Sequence, residues 1–257
     1  MTYNLFISQS ELKITFGRMK FLLAGLLFLT FFSSAQTFVV HKGDTLNRRD
    51  AKGLKQGVWK RYYEADTLLS ERYFKDGKPV GEFKTYYADG KLQSKVTFRK
   101  KSSASDMLMY YGNGKLKAKG KYIEQNKDSI WNYFNEEEKL VSVESFKNGV
   151  KEGVWKIYYP NAILSSETIW KNGKKNGTHK EYFEDGKPKF SSTMKNNELD
   201  GMTIIYRPDG KVLMKGMYNN GLRDGTWNNF KPDGSKDTDD VYRNGDIISP
   251  KDAGGKQ

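Results

Sequence analysis

Residues 153–176 read GVWKIYYPNAILSSETIWKNGKKN, and residues 57–80 read GVWKRYYEADTLLSERYFKDGKPV. Glycine, tryptophan, a tyrosine pair, leucine, serine, lysine and a turn dipeptide recur at the same offsets in both. The same 24-residue unit runs eight times from Gly57 to Ile248 without an insertion or deletion. Its first position reads Gly57, Gly81, Ser105, Ser129, Gly153, Gly177, Gly201 and Gly225. Its sixth is a ring in every copy: Tyr62, Tyr86, Tyr110, Phe134, Tyr158, Tyr182, Tyr206 and Phe230. Its eighteenth reads Phe74, Phe98, Tyr122, Phe146, Trp170, Met194, Tyr218 and Tyr242. A fixed period of this length marks a quasi-one-dimensional repeat protein, in which each unit buries its apolar side against its neighbours. Such a chain builds a long surface rather than a deep pocket, so function is sought on that surface.

Each unit holds two β-rich runs and two turns. Asp76-Gly77, Asn172-Gly173, Asn220-Gly221 and Asn244-Gly245 mark one turn, while Asp89-Gly90, Asn113-Gly114, Asp185-Gly186 and Asp209-Gly210 mark the other. Asn-Gly and Asp-Gly between alternating runs are the strongest short-range hairpin signal, because these residues accept the positive φ of tight turns. Breakers about every dozen residues exclude regular helix. The expected fold is all-β, a single elongated sheet of stacked antiparallel hairpins with sixteen strands in about eight units.

Strand alternation assigns faces. In the second strand, Leu68 and Phe74, or Leu164 and Trp170, fall at even spacing with small residues such as Ser70 and Ser166 between them, so they share a face. The opposite face receives Lys75, Arg99, Lys147, Lys171, Lys195 and Arg243, one repeat apart or a multiple of it. This predicts a ring-and-leucine ladder on one side and a basic, solvated column on the other. In the first strand, Trp59 and Tyr62 lie three apart and cannot share a face of a regular strand. A bulge, a bend, or rings on both faces would reconcile them.

The ends differ from the repeats. Phe21–Phe32 is an apolar run preceded by Arg18 and Lys20 and followed by Ser33-Ser34-Ala35. That pattern reads as a secretory leader, and the run is short for a membrane span. Cleavage is expected after Ala35, with translation starting at Met19, and no transmembrane segment is expected in the mature chain. Residues 36–56 read as a cap and half-repeat, 57–248 as the eight units, and 249–257 as a disordered tail. In the last unit Lys236 replaces the leucine and Asp237, Asp239 and Asp240 follow, which suits an edge strand defended by charge. Those aspartates do not have the spacing of a calcium loop.

Composition narrows the chemistry. With no cysteine, thiolate catalysis, disulfides and thiolate metal sites are excluded. Only His41 and His179 are available as imidazoles, and His179 stands where other units carry a position-three ring. No phosphate-binding glycine loop is present, since Gly90-Lys91 and Gly210-Lys211 lack the rest of that motif. The turn aspartates suit turn geometry. The reading is therefore a non-enzyme without cofactor or metal. Net charge is +13. Loss of the leader, with Lys13, Arg18, Lys20 and Glu11, leaves +11 and an exported basic protein, periplasmic or extracellular.

The unit G-x-W-x-x-Y-Y, as in Gly57–Tyr63 and Gly153–Tyr159, followed by a leucine, a ring, lysine and Asn/Asp-Gly, resembles the MORN-repeat variant. It looks like the bacterial proteins classed as YwqK-type antitoxin components. The resemblance implies stacked antiparallel hairpins that bind proteins or lipid head groups. Ser105 and Met107 in the third unit, His179 in the sixth and Thr203 in the seventh depart from the pattern.

Two surface features are candidates for binding. The basic column of Lys75, Arg99, Lys147, Lys171, Lys195 and Arg243 suits an acidic or toxin-like protein, or an anionic lipid. Solubility and edge defence would use the same residues. The ring ladder at the sixth position suits glycans or a partner's pockets, or serves as core. Nucleic acid is the disfavoured partner for an exported chain.

Overall fold

The structure, a computed structural model, describes residues 36–99 and 102–248. The expected leader at 1–35 and tail at 249–257 lie outside the described residues. The described chain is all-β, an open antiparallel meander in which strands pair with their neighbours in sequence, except that the two halves of each interrupted strand pair with the same preceding strand. It runs from β1 (Thr37–His41) through β2 (Asp44–Arg49), β3 (Lys55–Tyr62) and β4 (Leu68–Lys75) to a last strand at Asp246–Ile248.

Among the described residues twenty-one strand segments replace the expected sixteen. β1 and β2 precede the repeats, Asp246–Ile248 closes them, and two strands are interrupted at Glu152 and Asp200. The interruptions have a local cause. Most units bulge where one repeat passes into the next, and the first residue takes a left-handed φ there, 87° at Gly153 and 118° at Gly201. Glycine reaches that region without strain; Ser129 occupies it at 59°.

The two turns of each unit are of different types. In the first, the amide of Tyr63 donates to Thr67 O at 2.8 Å and that of Asp66 to Tyr63 O at 3.0 Å, a pattern repeated in all eight units. The fourth residue of this turn is left-handed throughout, with glycine in five units and Asp66, Glu138 and Ala162 in three. The residue before it often fixes the exit: Asp89, Asp185, Asp209 and Asp233 each accept from the amide two residues on, as expected for turn aspartates. The second turn has two residues with positive φ, for example 50° and 78° at Asn172-Gly173, the twist-matched hairpin type. A residue with a Cβ in the left-handed region is strained by about 1 kcal/mol. Ala162→Gly is thus expected to raise stability by about 0.5 to 1 kcal/mol. An unchanged thermal midpoint would contradict this.

Pairing bears out the expected face of the second strand only in part and resolves the first. Ser166, Thr168 and Trp170 share a face, but the register slips between Ser166 and Leu164, so Leu164 pairs with Tyr158 of the position-six ladder. Trp155 opposes Thr168 and Gly153 opposes Trp170, while Val154 opposes Ile169 and Lys156 opposes Glu167 on the other side. Position three therefore joins the small and aromatic residues of the second strand. The register then slips between Ile157 and Tyr158, as it does at Arg61/Tyr62 and Thr85/Tyr86. The position-six rings belong to the opposite face: Lys119 Nζ lies 5.8 Å from the Phe134 centroid and Lys215 Nζ 5.5 Å from that of Phe230. A bulge and rings on both faces together reconcile Trp59 with Tyr62. The expected division into an apolar and a basic face needs correcting, because the basic face also carries this ladder.

A sheet this open buries little. Among the described residues the buried apolar side chains are Leu46, Phe74, Ala118, Trp131, Met194 and Trp227. Direct bonds between units supplement them. The seventh-position hydroxyl of Tyr63, Tyr87, Tyr111 and Tyr159 donates to the position-six carbonyl of the next unit, at 2.7–2.9 Å. Arg207 makes the same link to Phe230 O at 2.7 Å. On the other edge, the turn amide of Gly77 reaches Lys55 O at 3.0 Å and that of Gly173 reaches Lys151 O at 3.0 Å. At the C-terminal end, Asp239 accepts from Asn228 and Lys236, and Asp240 from Asn229, so these aspartates are engaged with neighbouring side chains.

Candidate binding faces

On the ring face, positions three and eighteen alternate along the sheet. Phe146 meets Trp155 edge-on with centroids 5.3 Å apart, Trp155 meets Trp170 at 5.4 Å, and Tyr122 meets Trp131 at 5.1 Å. The indole Nε1 of Trp131, Trp155 and Trp227 donates to Lys121 O, Ser145 O and Met217 O. Trp131 and Trp227 are fully buried. Each lies against a glycine of the preceding strand, Gly120 and Gly216, with no room for a Cβ between ring and backbone. Trp59 at the first unit, where β2 meets β3 over two residue pairs, has a buried Nε1 without an acceptor among the described residues.

A second element was missed by sequence reasoning. A cation lies over each position-three tryptophan. Lys151 Nζ stands 4.2 Å from both Trp155 and Trp170, Lys127 Nζ 4.6 Å from Trp131, Lys55 Nζ 4.5 Å from Trp59, and the Arg223 guanidinium 4.5 Å from Trp227. Such contacts contribute about 0.5–2 kcal/mol each. Lys-x-x-x-Trp or Arg-x-x-x-Trp precedes all four and was the available signal. Arg72 plays this part over Phe83 at 3.7 Å, and its burial holds its pKa below the ordinary guanidinium value.

Two polar groups interrupt the stripe. His179 fills its tryptophan position as a ring in place of a ring. Its Nδ1 lies 2.7 Å from Thr168 Oγ1 and its Nε2 3.4 Å from Glu181. In the next unit Thr203 takes the tryptophan position and shares a 2.5 Å hydrogen bond with Ser192 of the preceding strand. Tyr133 stacks near Trp131 and receives a hydrogen bond from Lys127. Burial first, and the Glu144 carboxylate second, push its phenol up to about 12. A folded-state pKa raised from 10 contributes stability that is complete below about pH 10 and lost as pH rises toward about 12. Tyr133→Phe is expected to reduce that alkaline loss. Identical alkaline unfolding of the two proteins, followed by circular dichroism, would contradict it.

The six cations of the predicted column are all exposed. All but Arg99 stand beside the two-residue turns, where Lys75 opposes Lys78 and Lys171 opposes Lys174. Arg99 is held by Asp106 through two bonds of 2.8 and 2.9 Å, and Lys195 lies 3.9 Å from Asp200. Among the described residues Lys75, Lys147, Lys171 and Arg243 have no such ion pair. The column is therefore only partly neutralised. The predicted ladder of Tyr62, Tyr86, Tyr110, Phe134, Tyr158, Tyr182, Tyr206 and Phe230 is half-buried in every copy. It flanks ion pairs such as Lys60–Glu71 and Lys156–Glu167. Burial, then Glu71, raise the pKa of Tyr86.

These hairpins, with glycine at the crossover and a tyrosine pair before the first turn, are similar to a known repeat. Five of them match the MORN repeat variant. The matched residues are 55–76, 79–100, 106–124, 151–172 and 175–196. Each matched segment in the first and fifth units begins at the cation covering the tryptophan, Lys55 or Lys151, so the MORN-variant unit contains both partners of that contact. No curated protein matches the chain. Among solved structures, TarM is similar over 39% of this chain and 20% of its own, at 13% identity and a TM-score of 0.27. The TcdB2-TccC3-Cdc42 complex is similar over 79% of this chain and 13% of that one, at 11% identity and a TM-score of 0.22. This chain thus spans a fifth or less of either. Among the described residues no helix is long and apolar enough to cross a membrane.

Proposed function

We propose that this is a non-enzymatic scaffold, exported by its N-terminal leader, that holds an acidic protein partner along its cationic turn edge. Antitoxin-like or immunity-like capture of a toxin is the form of that activity suggested by its repeats. The observation that carries the reading is the exposed column at Lys75, Lys147, Lys171 and Arg243. Its members recur at one-repeat intervals or multiples of them, about 10 Å per repeat from the spacing of two strands. Cations fixed on a β-scaffold at regular spacing steer and register an acidic surface. The alternative, a glycan or lipid head group stacked on the rings, has less support, because Lys55, Lys127, Lys151 and Arg223 already cover the tryptophans.

The test is affinity capture from the native cell envelope with wild-type protein and with Lys147→Glu/Lys171→Glu, followed by identification of what is bound. An acidic protein is expected with the wild type and is expected to be lost with the variant. Equal recovery by both would refute a basic-edge interaction.

A further inference from the structure

The basic face carries an apolar strip beside its cationic edge. Positions two and seventeen of a unit oppose one another there, as Val154 does Ile169 and Met202 does Met217. Ile130 is 57% exposed, Val154 43%, Met202 50% and Met217 44%. The paired Thr178 and Thr193 bridge the two apolar pairs. From Ile130 to Met217 the strip crosses four units, roughly 30 Å at two strands per unit. Strand alternation puts Lys171 on the same face as Ile169, and Lys174 lies directly opposite Lys171. The edge side of the strip is thus cationic, and its inner side is bounded by pairs such as Lys156–Glu167.

We propose that this strip is the seat of an extended segment of a partner protein, about nine residues long at 3.3 Å each, with apolar side chains turned to the strip and carboxylates turned to Lys147, Lys171 and Lys174. The proposal rests on the reading of the basic edge as a protein-binding surface and adds the kind of segment it takes. Charge complementarity selects the acidic flank. Width selects a chain over a lipid surface: the strip is one pair of side chains wide, and a bilayer laid on it would also press on the Glu167 carboxylate inside it. Met202 and Met217 are unbranched and adapt to varied apolar side chains.

The test uses a fluorescent nine-residue peptide of alternating aspartate and leucine, with all-glutamate and alternating lysine–leucine peptides and phosphatidylglycerol vesicles as comparators. The intact protein is expected to bind the aspartate–leucine peptide at least about tenfold more tightly than either other peptide. Val154→Ser/Ile169→Ser and Lys171→Glu/Lys174→Glu are each expected to weaken it by about tenfold or more. All four positions are exposed or half-exposed, and unchanged circular dichroism would show that the variants fold. If the all-glutamate peptide binds equally well and only the lysine variant loses it, the basic edge stands and the strip is refuted. Failure of the aspartate–leucine peptide to bind, or vesicle binding that the serine variant abolishes while peptide binding is unaffected, would also overturn the proposal.

Discussion

Gly120→Ala is expected to lower stability by about 3 kcal/mol and to split a single unfolding transition into two. The added Cβ would stand 2.2 Å from Cδ2 and 2.3 Å from Cε2 of the Trp131 ring, where carbon atoms pack at about 3.5–4.0 Å. Trp131 cannot swing away cheaply: it is fully buried, bonded to Lys121 O and packed against Tyr122. Gly120 does not have a positive φ, so backbone strain adds nothing and the effect belongs to the contact. In a repeat sheet each unit touches only its neighbours, so the lesion falls on one junction and uncouples units one to three from four to eight. Gly216→Ala meets Trp227 at 2.3 Å but sits one junction from the C-terminal end, where only the last unit should melt early. Gly112→Ala, with open space around its Cβ and no positive φ, is the control and should stay within about 0.5 kcal/mol. Urea unfolding followed by tryptophan fluorescence and circular dichroism reads all three. Coincident wild-type-like transitions for Gly120→Ala would sink the argument.

The period made most of this architecture legible before any coordinates. Fixed glycines and Asn-Gly or Asp-Gly pairs declare where φ must be positive, and those positions are left-handed in the structure, as at Gly90 and Asn172. Even spacing gave the face of the second strand from Ser166 to Trp170, where it pairs regularly, but misplaced Leu164, which lies beyond a slip in the pairing. The first strand resisted because its register slips beside Tyr158, and a one-residue slip changes the face that a pattern implies. The basic column was legible as residues but not as charges: Arg99 is neutralised by Asp106, seven residues later across a turn, while Lys147 is left without an ion pair among the described residues. The cations over the tryptophans escaped notice because each lies at the end of one unit and acts on the start of the next. A reading made unit by unit separates Lys151 from Trp155, although only four residues divide them. The exposed apolar strip escaped for a related reason. Val154 and Ile169 look like ordinary strand residues until pairing puts them on the solvated face.

The tyrosine column supplies the second large effect. Changing Tyr63, Tyr87, Tyr111 and Tyr159 together to phenylalanine is expected to lower stability by about 4 kcal/mol, near 1 kcal/mol for each hydroxyl lost. Each bond joins two units, and successive bonds share no partner, so their effects should add. Against the 5–15 kcal/mol typical of a folded protein, that is a large share. The rings themselves stay, so packing is preserved and the loss is assigned to the hydroxyl. The sixth unit offers the converse experiment, because Phe183 stands at the seventh position with no hydroxyl to give. Its counterpart in the fifth unit, Tyr159, reaches Tyr182 O at 2.8 Å, and the hairpin geometry around the two is the same. Phe183→Tyr should therefore place its hydroxyl at Tyr206 O and raise stability by about 1 kcal/mol. The two results constrain one another. A fourfold variant that loses stability while Phe183→Tyr gains none would mean that the sixth junction differs in geometry. A fourfold variant that unfolds at the wild-type denaturant midpoint would mean that water replaces the hydroxyl at each carbonyl, and that the units are held together by their strand ladders and rings alone.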